Sequence, residues 1–297
     1  MKPEISSLLS AIRAGLKTVT GIDAVPRPMG EAAGGPINRT LRIQYGNHAC
    51  FIKLNAARRL EMFKAEMAGL RELAEAGSLK VPTPWCCGDD GTTAFLVMEY
   101  LELDRNGDPA QLGEGLARLH RHTHSQFGWG RDNTIGTTAQ INTFSDNWVE
   151  FWKFQRLHFQ LKLAAENGFT GRLQSKGERL LNEMHTLFNG YQPRPALLHG
   201  DLWSGNYAFG RGGEPVIFDP AVYYGDRETD LAMTELFGGF SVDFYSAYRA
   251  AYPLDEGYRV RKKLYNLYHV LNHLNLFGGG YLAQAESMIE NLLSELH

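Results

Sequence analysis

The sequence predicts an α+β fold, with a small β-rich N-terminal lobe carrying one key helix and a larger, mainly helical C-terminal lobe. Three observations carry this. Up to about residue 100, short runs alternate apolar and polar residues between turn residues, which is the period of strands. Beyond about residue 110, apolar residues recur at helical spacing over longer segments. At 297 residues, 43% hydrophobic and 21% charged, the chain is large enough for one big domain or two lobes with real cores. The expected boundary divides residues 1–101 from 102–297.

The elements follow in order. In "MKPEISSLLSAIRAGLKTVTG", Ile5, Leu8, Leu9, Ile12 and Leu16 keep helical spacing and are interrupted by charge, which reads as an amphipathic helix and not a signal peptide. "TLRIQYGNHACFIKLN" reads as a hairpin. Leu41, Ile43 and Tyr45 alternate with Arg42 and Gln44, Gly46-Asn47 supplies the turn, and Cys50, Ile52 and Leu54 alternate with Phe51 and Lys53. Residues 58–76 read as a helix stopped by Gly77. "VPTPWCCGDDGTTAFLVMEYL" gives two more strands around an Asp-Asp-Gly turn. Helices are then expected over 110–124, 145–167, 171–189, 226–237, 241–251, 257–277 and 281–296, interrupted by a hairpin over 196–219. There is no internal repeat and no low-complexity linker.

Composition narrows the function classes. A net charge of -3 gives no electrostatic case for nucleic acid or an anionic membrane as the main partner. No apolar run approaches membrane-spanning length, so the expected location is the cytoplasm. The oligomeric state is left open, a monomer among the options. Cys50, Cys86 and Cys87 lack metal-ligand spacing and read as reduced thiols filling small core positions.

Chemistry concentrates in "HGDLWSGN", residues 199–206, and in "PVIFDP", which ends near Asp219. Asp201 leaves a buried strand on a loop, Asn206 closes that loop, and Asp219 ends the next apolar run. Asn206 and Asp219 are hard oxygen donors suited to Mg²⁺, which takes few protein ligands and leaves room for phosphates. Asp201 is then free to accept a proton from a hydroxyl, the division of labour that phosphoryl transfer needs. In the first lobe, Lys53 stands mid-strand between Ile52 and Leu54. Glu66 lies four residues from both Met62 and Leu70, on the apolar face of its helix. A carboxylate there is costly unless paired, and Lys53 is its partner, placed to hold nucleotide phosphates. Gly34-Gly35 lets backbone approach phosphates closely, although paired glycines are more often only a turn, and no Walker motif occurs.

Other residues carry plainer readings. His199 reads as a loop brace. Asp230, at a helix start, reads as a cap for loop amides. Of His120, His122 and His124, only His120 and His124 would share a helix face, and nothing completes a zinc set. Trp148, Phe151 and Trp152 read as core. Trp203 projects from the loop itself, either stacking on a sugar face or packing the loop.

"LLHGDLWSGN", "PVIFDPAVYYGDRETDLA" and "LFGGF", with "CFIKLN" and "AEMAGL" upstream, resemble the fructosamine/ketosamine-3-kinase family. "FGWGRDNTIGTTAQINTFSDNWVEFWKFQRLHFQL" resembles its bacterial branch, so the likeness spans nearly the whole chain. It implies the aminoglycoside-phosphotransferase-like, protein-kinase-like fold, with a nucleotide-binding lobe over 1–101 and a catalytic and substrate-binding lobe over 102–297. It also implies ATP-dependent, Mg²⁺-assisted transfer to the 3-hydroxyl of ketosamines, free or on glycated protein side chains, as deglycation repair. By motif position it assigns Asp201 as catalytic base, Asn206 and Asp219 as Mg²⁺ ligands, Lys53 and Glu66 as the phosphate clamp, and Met98-Glu99-Tyr100-Leu101 as the adenine-reading hinge. Where many members carry a cysteine after the paired glycines, this chain has Pro36, so a thiol switch there is not expected. The acceptor site is expected from Trp203, Asp226 and Phe237, with Tyr223, Glu228 and Glu235 also in reach. Kinases for an aminoglycoside, choline or a simple sugar share the same local chemistry and stand as the alternative. A nucleotide-binding pseudoenzyme is disfavoured because all five chemical residues are present. A protein kinase is disfavoured by Gly200, in place of a phosphate-reading arginine, and by the ten residues between Asp219 and Asp230.

Overall fold

The computed structural model describes residues 3–32 and 37–296. The chain begins with α1 (Pro3–Thr20), β1 (Arg27–Glu31), β2 (Arg39–Tyr45), β3 (His48–Ala56), α2 (Leu60–Ala76), β4 (Pro84–Asp89), β5 (Thr93–Glu99) and β6 (Leu103–Asp104). It continues through α3 (Pro109–Leu119), β7 (Asn133–Ile135), β8 (Thr138–Gln140), α4 (Trp148–Trp152), α5 (Phe159–Glu166) and α6 (Arg172–Glu183). It closes with β9 (Ala196–Leu198), β10 (Tyr207–Gly210), β11 (Pro215–Ile217), β12 (Tyr223–Gly225), α7 (Glu228–Leu236), α8 (Val242–Ala251), α9 (Tyr258–Phe277) and α10 (Leu282–Glu295). These elements form two compact units, 1–108 with 208–220, and 109–207 with 221–297.

Unit 1 is built on a five-stranded antiparallel sheet of order β1-β2-β3-β5-β4. The expected hairpin is β2–β3, turning at Gly46 with φ +56, a conformation glycine adopts without strain. One sheet face buries Ile43, Tyr45, Cys50, Ile52, Cys86 and Val97 against Leu8, Ile12 and Leu16 of α1. Gly15 permits the approach, since a Cβ there would meet Cys86 Sγ at 2.9 Å. Burial pushes both the Cys50 and Cys86 thiols up to about 12, so they are inert fillers, as their spacing suggested. α2 ends at Gly77, left-handed at φ 63, which donates back to the Ala74 carbonyl.

The hairpin expected over 196–219 takes a different form. β9 does not pair with β10 or β11; it pairs antiparallel with β12 inside unit 2. The hairpin is β10–β11, turning through Gly213 at φ +80, and β10 pairs on its other side with β6. The Ile217 amide donates to the Lys80 carbonyl at 3.0 Å, and Lys80 Nζ reaches Glu214 at 3.1 Å. These bonds bring residues 208–220 into unit 1, whereas the boundary at 101/102 counted them with the second lobe.

Unit 2 is mainly helical, with α9 at its centre. Leu264, Tyr265, Leu267, Tyr268, Val270, Leu271 and Leu274 are all buried there. α3 packs closely on α8 because Gly113 carries no Cβ; one would sit 2.3 Å from the Phe244 carbonyl oxygen. The helix expected over 110–124 stops at Leu119. Beyond it the chain turns extended and joins β9, with Leu197 donating to His122 O and His124 donating to Pro195 O. The helix expected over 145–167 is interrupted at Lys153–His158 by a wider π turn, which carries the buried Arg156.

Candidate active site

Unit 1 holds Lys53 and Glu66, the residues expected to clamp phosphate. Lys53 is buried on β3, with the sheet on both sides and α2 above. Its ammonium donates to Glu66 at 2.5 Å and to Asp219 at 2.6 Å. Burial opposes the charge on Lys53, but the Asp219 and Glu66 carboxylates outweigh it and hold the lysine above its ordinary range. Glu66 is pushed up by burial first, while Lys53 pulls it down and Asp219 repels it. Asp219 follows β11 in a left-handed conformation, φ 57, the one non-glycine residue with positive φ among those described. Such a backbone costs of order 1 kcal/mol and is often kept where a side chain must be aimed. The Asp219 side chain is 39% exposed and commits one oxygen to Lys53.

Residues 98–101, the expected hinge, also belong to unit 1. Met98 is buried on β5. The Glu99 amide donates to Thr83 O and the Tyr100 amide to Ala49 O, while Arg42 lies over the Tyr100 ring at 4.2 Å. Leu101 follows, half-buried. Gly34, Gly35 and Pro36, the expected phosphate loop, lie outside the described residues.

Unit 2 holds the 199–206 loop, the expected catalytic loop. The Asn206 side-chain nitrogen donates to the Asp201 carbonyl at 2.8 Å and to the Asp201 carboxylate at 3.3 Å. That orientation commits the amide nitrogen and leaves the amide oxygen as the acceptor, the donor type a hard divalent cation takes. The Asp201 amide donates to His199 Nδ1 at 3.2 Å, so His199 braces the loop as expected. Trp203 lies across Gly205, where a Cβ would meet the indole at 2.3 Å.

Asp230 anchors this loop from the first turn of α7. It accepts the His199 amide at 2.8 Å and the Gly200 amide at 2.8 Å, and His120 Nε2 stands 3.1 Å away. Burial pushes its carboxyl up, but the His120 hydrogen bond and the surrounding charges and amides hold it below the usual range. The network runs outward through His120 Nδ1 to the Tyr248 hydroxyl at 2.8 Å, and Arg227 donates to that hydroxyl at 3.0 Å. Gly200 is required here. Its φ is +82, and a Cβ would sit 2.0 Å from the Ala221 carbonyl oxygen.

A second buried network supports the far side of that carbonyl. Gln140 donates to Ala221 O at 3.1 Å and Asn133 to Val222 O at 2.8 Å. Gln140 and Asn142 both donate to Asn133 Oδ1, and the Tyr268 hydroxyl donates to Gln140. Arg156 donates to Asn142 Oδ1 at 2.7 Å and lies over the Tyr223 ring at 4.3 Å. Sequence reasoning missed these residues. Their signal was the alternation in "NTIGTTAQ", which puts Asn133 and Gln140 on the inward face of the β7–β8 hairpin.

The expected acceptor residues divide. Trp203 is 38% exposed and meets Phe237 edge to face at 6.4 Å, and Phe237 leans on His273 at 4.8 Å. Asp226 does not belong with them. It is fully buried, and its oxygens accept from the Tyr265 hydroxyl at 2.5 Å, the Tyr191 hydroxyl at 3.0 Å and the Glu228 amide at 3.0 Å. It is a structural acceptor in the core of unit 2, and its expected role in substrate contact is withdrawn. Tyr223 and Glu228 are likewise buried, Glu228 in a two-pronged pair with Arg261 at 2.8 and 2.9 Å.

Among the described residues, no group of three or more His, Cys, Asp or Glu side chains gathers to hold a metal. Asn206 in unit 2 and Asp219 in unit 1, the expected Mg²⁺ ligands, each carry a hard oxygen of the type that cation takes. A fold of the protein-kinase-like class together with the family match makes this an ATP-dependent kinase. Within that class, the chain belongs to the fructosamine kinase family, whose model it matches over residues 8–295. It is 47% identical to a probable ketoamine kinase of Synechocystis over 88% of this chain and 88% of that protein. It is 42% identical to the chloroplastic protein-ribulosamine 3-kinase of Arabidopsis thaliana over 90% of this chain and 83% of that one. The crystal structure of a putative fructosamine-3-kinase from Haemophilus somnus superposes with a TM-score of 0.89 at 27% identity, covering 98% of this chain and 99% of that one. No helix among the described residues is long and apolar enough to cross a membrane.

Proposed function

We propose that the chain transfers the γ-phosphoryl group of ATP to the 3-hydroxyl of ketosamines, the fructosamine and ribulosamine adducts of amines, free or on glycated protein side chains. Family membership over residues 8–295 is the observation that carries this reading. The site geometry supports it. Asp201 accepts the proton of the acceptor hydroxyl as that oxygen forms its bond to the γ-phosphorus. The bond from the γ-phosphorus to the β–γ bridging oxygen breaks, and ADP leaves with the electron pair. Lys53, held by Glu66 and Asp219, orients the ATP phosphates. Asn206 and Asp219 would hold Mg²⁺, which neutralises charge on the phosphates when bound. The Glu99 and Tyr100 amides are already bonded to the Thr83 and Ala49 carbonyls, so the Leu101 amide is the hinge donor for adenine. Trp203 and Phe237 offer the acceptor an aromatic wall, against which a cationic secondary amine is held by the ring faces.

ADP release measured against fructosamines, ribulosamines, plain sugars and aminoglycosides tests the assignment. The amine adducts should be used far better than fructose or sorbitol bearing the same hydroxyls. Equal kcat/KM for fructose and fructose-lysine would replace this reading with a simple sugar kinase.

A further inference from the structure

A cleft of about 540 Å³ opens in unit 2, and its lining includes Gly238, the residue that follows Phe237 in the chain. Gly238 and Gly239 line it with backbone alone, Arg249 comes from the end of α8, and Arg259 and Lys262 come from the start of α9. Glu235, in the last turn of α7, is its single acid. Glu235 is already neutralised, because Lys262 donates to one of its oxygens at 2.5 Å and the Tyr258 hydroxyl to the other at 2.6 Å. The charge left over is that of two arginines. Both are exposed; Arg249 lies over the Tyr245 ring at 5.9 Å, and the charge of Arg259 is felt by Glu295, whose printed ion pair is with Lys263. The glycines add access. Gly238 and Gly239 have φ of +92 and +74, and open space lies where each would carry a Cβ. Consecutive Cα atoms are about 3.8 Å apart, so the cleft begins within one residue of the ring that packs on Trp203.

Two guanidiniums in a concave surface, with bare backbone between them and the aromatic wall, suit an oxyanion. The planar fork of arginine pairs with carboxylate or phosphate through two parallel hydrogen bonds. We propose that this cleft is an oxyanion subsite of the acceptor site. It takes a carboxylate or phosphate borne on the amine side of the ketosamine, with Arg249 and Arg259 as its ligands. The inference rests on the acceptor reading above and adds to it a preference for anionic amine carriers: a glycated amino acid with a free carboxylate, or a glycated side chain beside an acidic or phosphorylated neighbour.

The test uses the intact chain and three fructosamines: that of Nα-acetyl-lysine, that of its carboxamide, and that of a peptide with phosphoserine beside the glycated lysine. Exposed arginine pairs contribute modestly, so KM for the anionic acceptors should lie about three- to tenfold below that of the carboxamide. In the Arg249→Ala/Arg259→Ala variant the ratio should fall to about one. A preference for only one of the anions identifies carboxylate or phosphate as the natural group. No difference in KM in the parent chain, or a difference that survives the double substitution, overturns the subsite. Calorimetric titration with inorganic phosphate reads the subsite without turnover. Heat lost in the double variant supports it, and identical titrations of the two proteins overturn it. Phosphate binding that depends on the arginines, in a protein that turns over no ketosamine, would reject the acceptor class while retaining the subsite.

Discussion

Asp230→Asn separates bracing of the catalytic loop from its chemistry. One Asp230 oxygen serves the His199 amide and His120, and the other serves the Gly200 amide. Asparagine keeps one acceptor oxygen and replaces the other with a donor. His120 can adapt to that donor by accepting at Nε2 and donating from Nδ1 to the Tyr248 hydroxyl, which accepts as readily as it donates. A backbone amide cannot adapt. Whichever way the amide turns, one buried loop N–H loses its acceptor, at about 1–3 kcal/mol. The surviving amide bond also loses its charged acceptor and weakens by roughly half. The sum is about 2–4 kcal/mol, a large share of an ordinary domain's stability. Urea unfolding at neutral pH should therefore show a lower midpoint at unchanged slope. Asp230 touches no reacting group, so the kinetic effect should come through displacement of Asp201. A shift near 1 Å is enough for about a 10²-fold loss in kcat, with KM for ATP held. A variant within about 0.5 kcal/mol of the parent, at parental kcat, would refute the reasoning, because the loop amides would then have another acceptor.

Asp201→Asn should lower kcat by about 10²–10⁴-fold while nucleotide affinity stays near normal, measured by single-turnover kinetics and ATP titration. Lys53→Met and Glu66→Ala should each impair turnover, and a double-mutant cycle should show strong non-additivity; an interaction energy of zero would separate the pair. His269 is buried, and burial first, then the His273 charge, lower it from 6.5 to about 3. Its neutral form is kept in the fold while the unfolded chain takes a proton, so this stability is intact above the unfolded pKa and is lost as pH falls from 6.5 towards 3. At pH 5 the loss is about 2 kcal/mol. His269→Gln should remove that component from the difference between pH 7 and pH 5 unfolding free energies, and an unchanged pH profile would show that His269 is protonated in the fold.

Residues that break a pattern were legible in the sequence. Lys53 and Glu66 each interrupt an apolar face, and a buried charge needs a partner, so their pairing followed before any coordinates. Asp201, Asn206 and Asp219 stood out because polar groups ended apolar runs. What stayed hidden depends on partners distant in sequence. β9 and β11 are near neighbours along the chain, yet β9 pairs with β12 and residue 80 takes Ile217. The helix after Pro109 stops at Leu119 because residues 122–124 are drawn to β9, which no local propensity encodes. Asp226 read as a candidate ligand because acidity is visible in a sequence and burial is not. Two tyrosines 35 and 39 residues away decide its role.

The excursion of residues 208–220 into unit 1 bears on how the chain is born. Unit 1 lacks β10, β11 and Asp219 until they have left the ribosome, roughly 100 residues after its own first segment is complete. At about 5–20 residues per second that is a delay on the order of 5–20 s. During that interval Lys53 and Glu66 can meet, but the second carboxylate of the clamp does not yet exist, and β6 has no strand beside it. The nascent N-terminal segment thus waits with an open edge at β6. A gene cut after residue 108 would leave it in that state permanently.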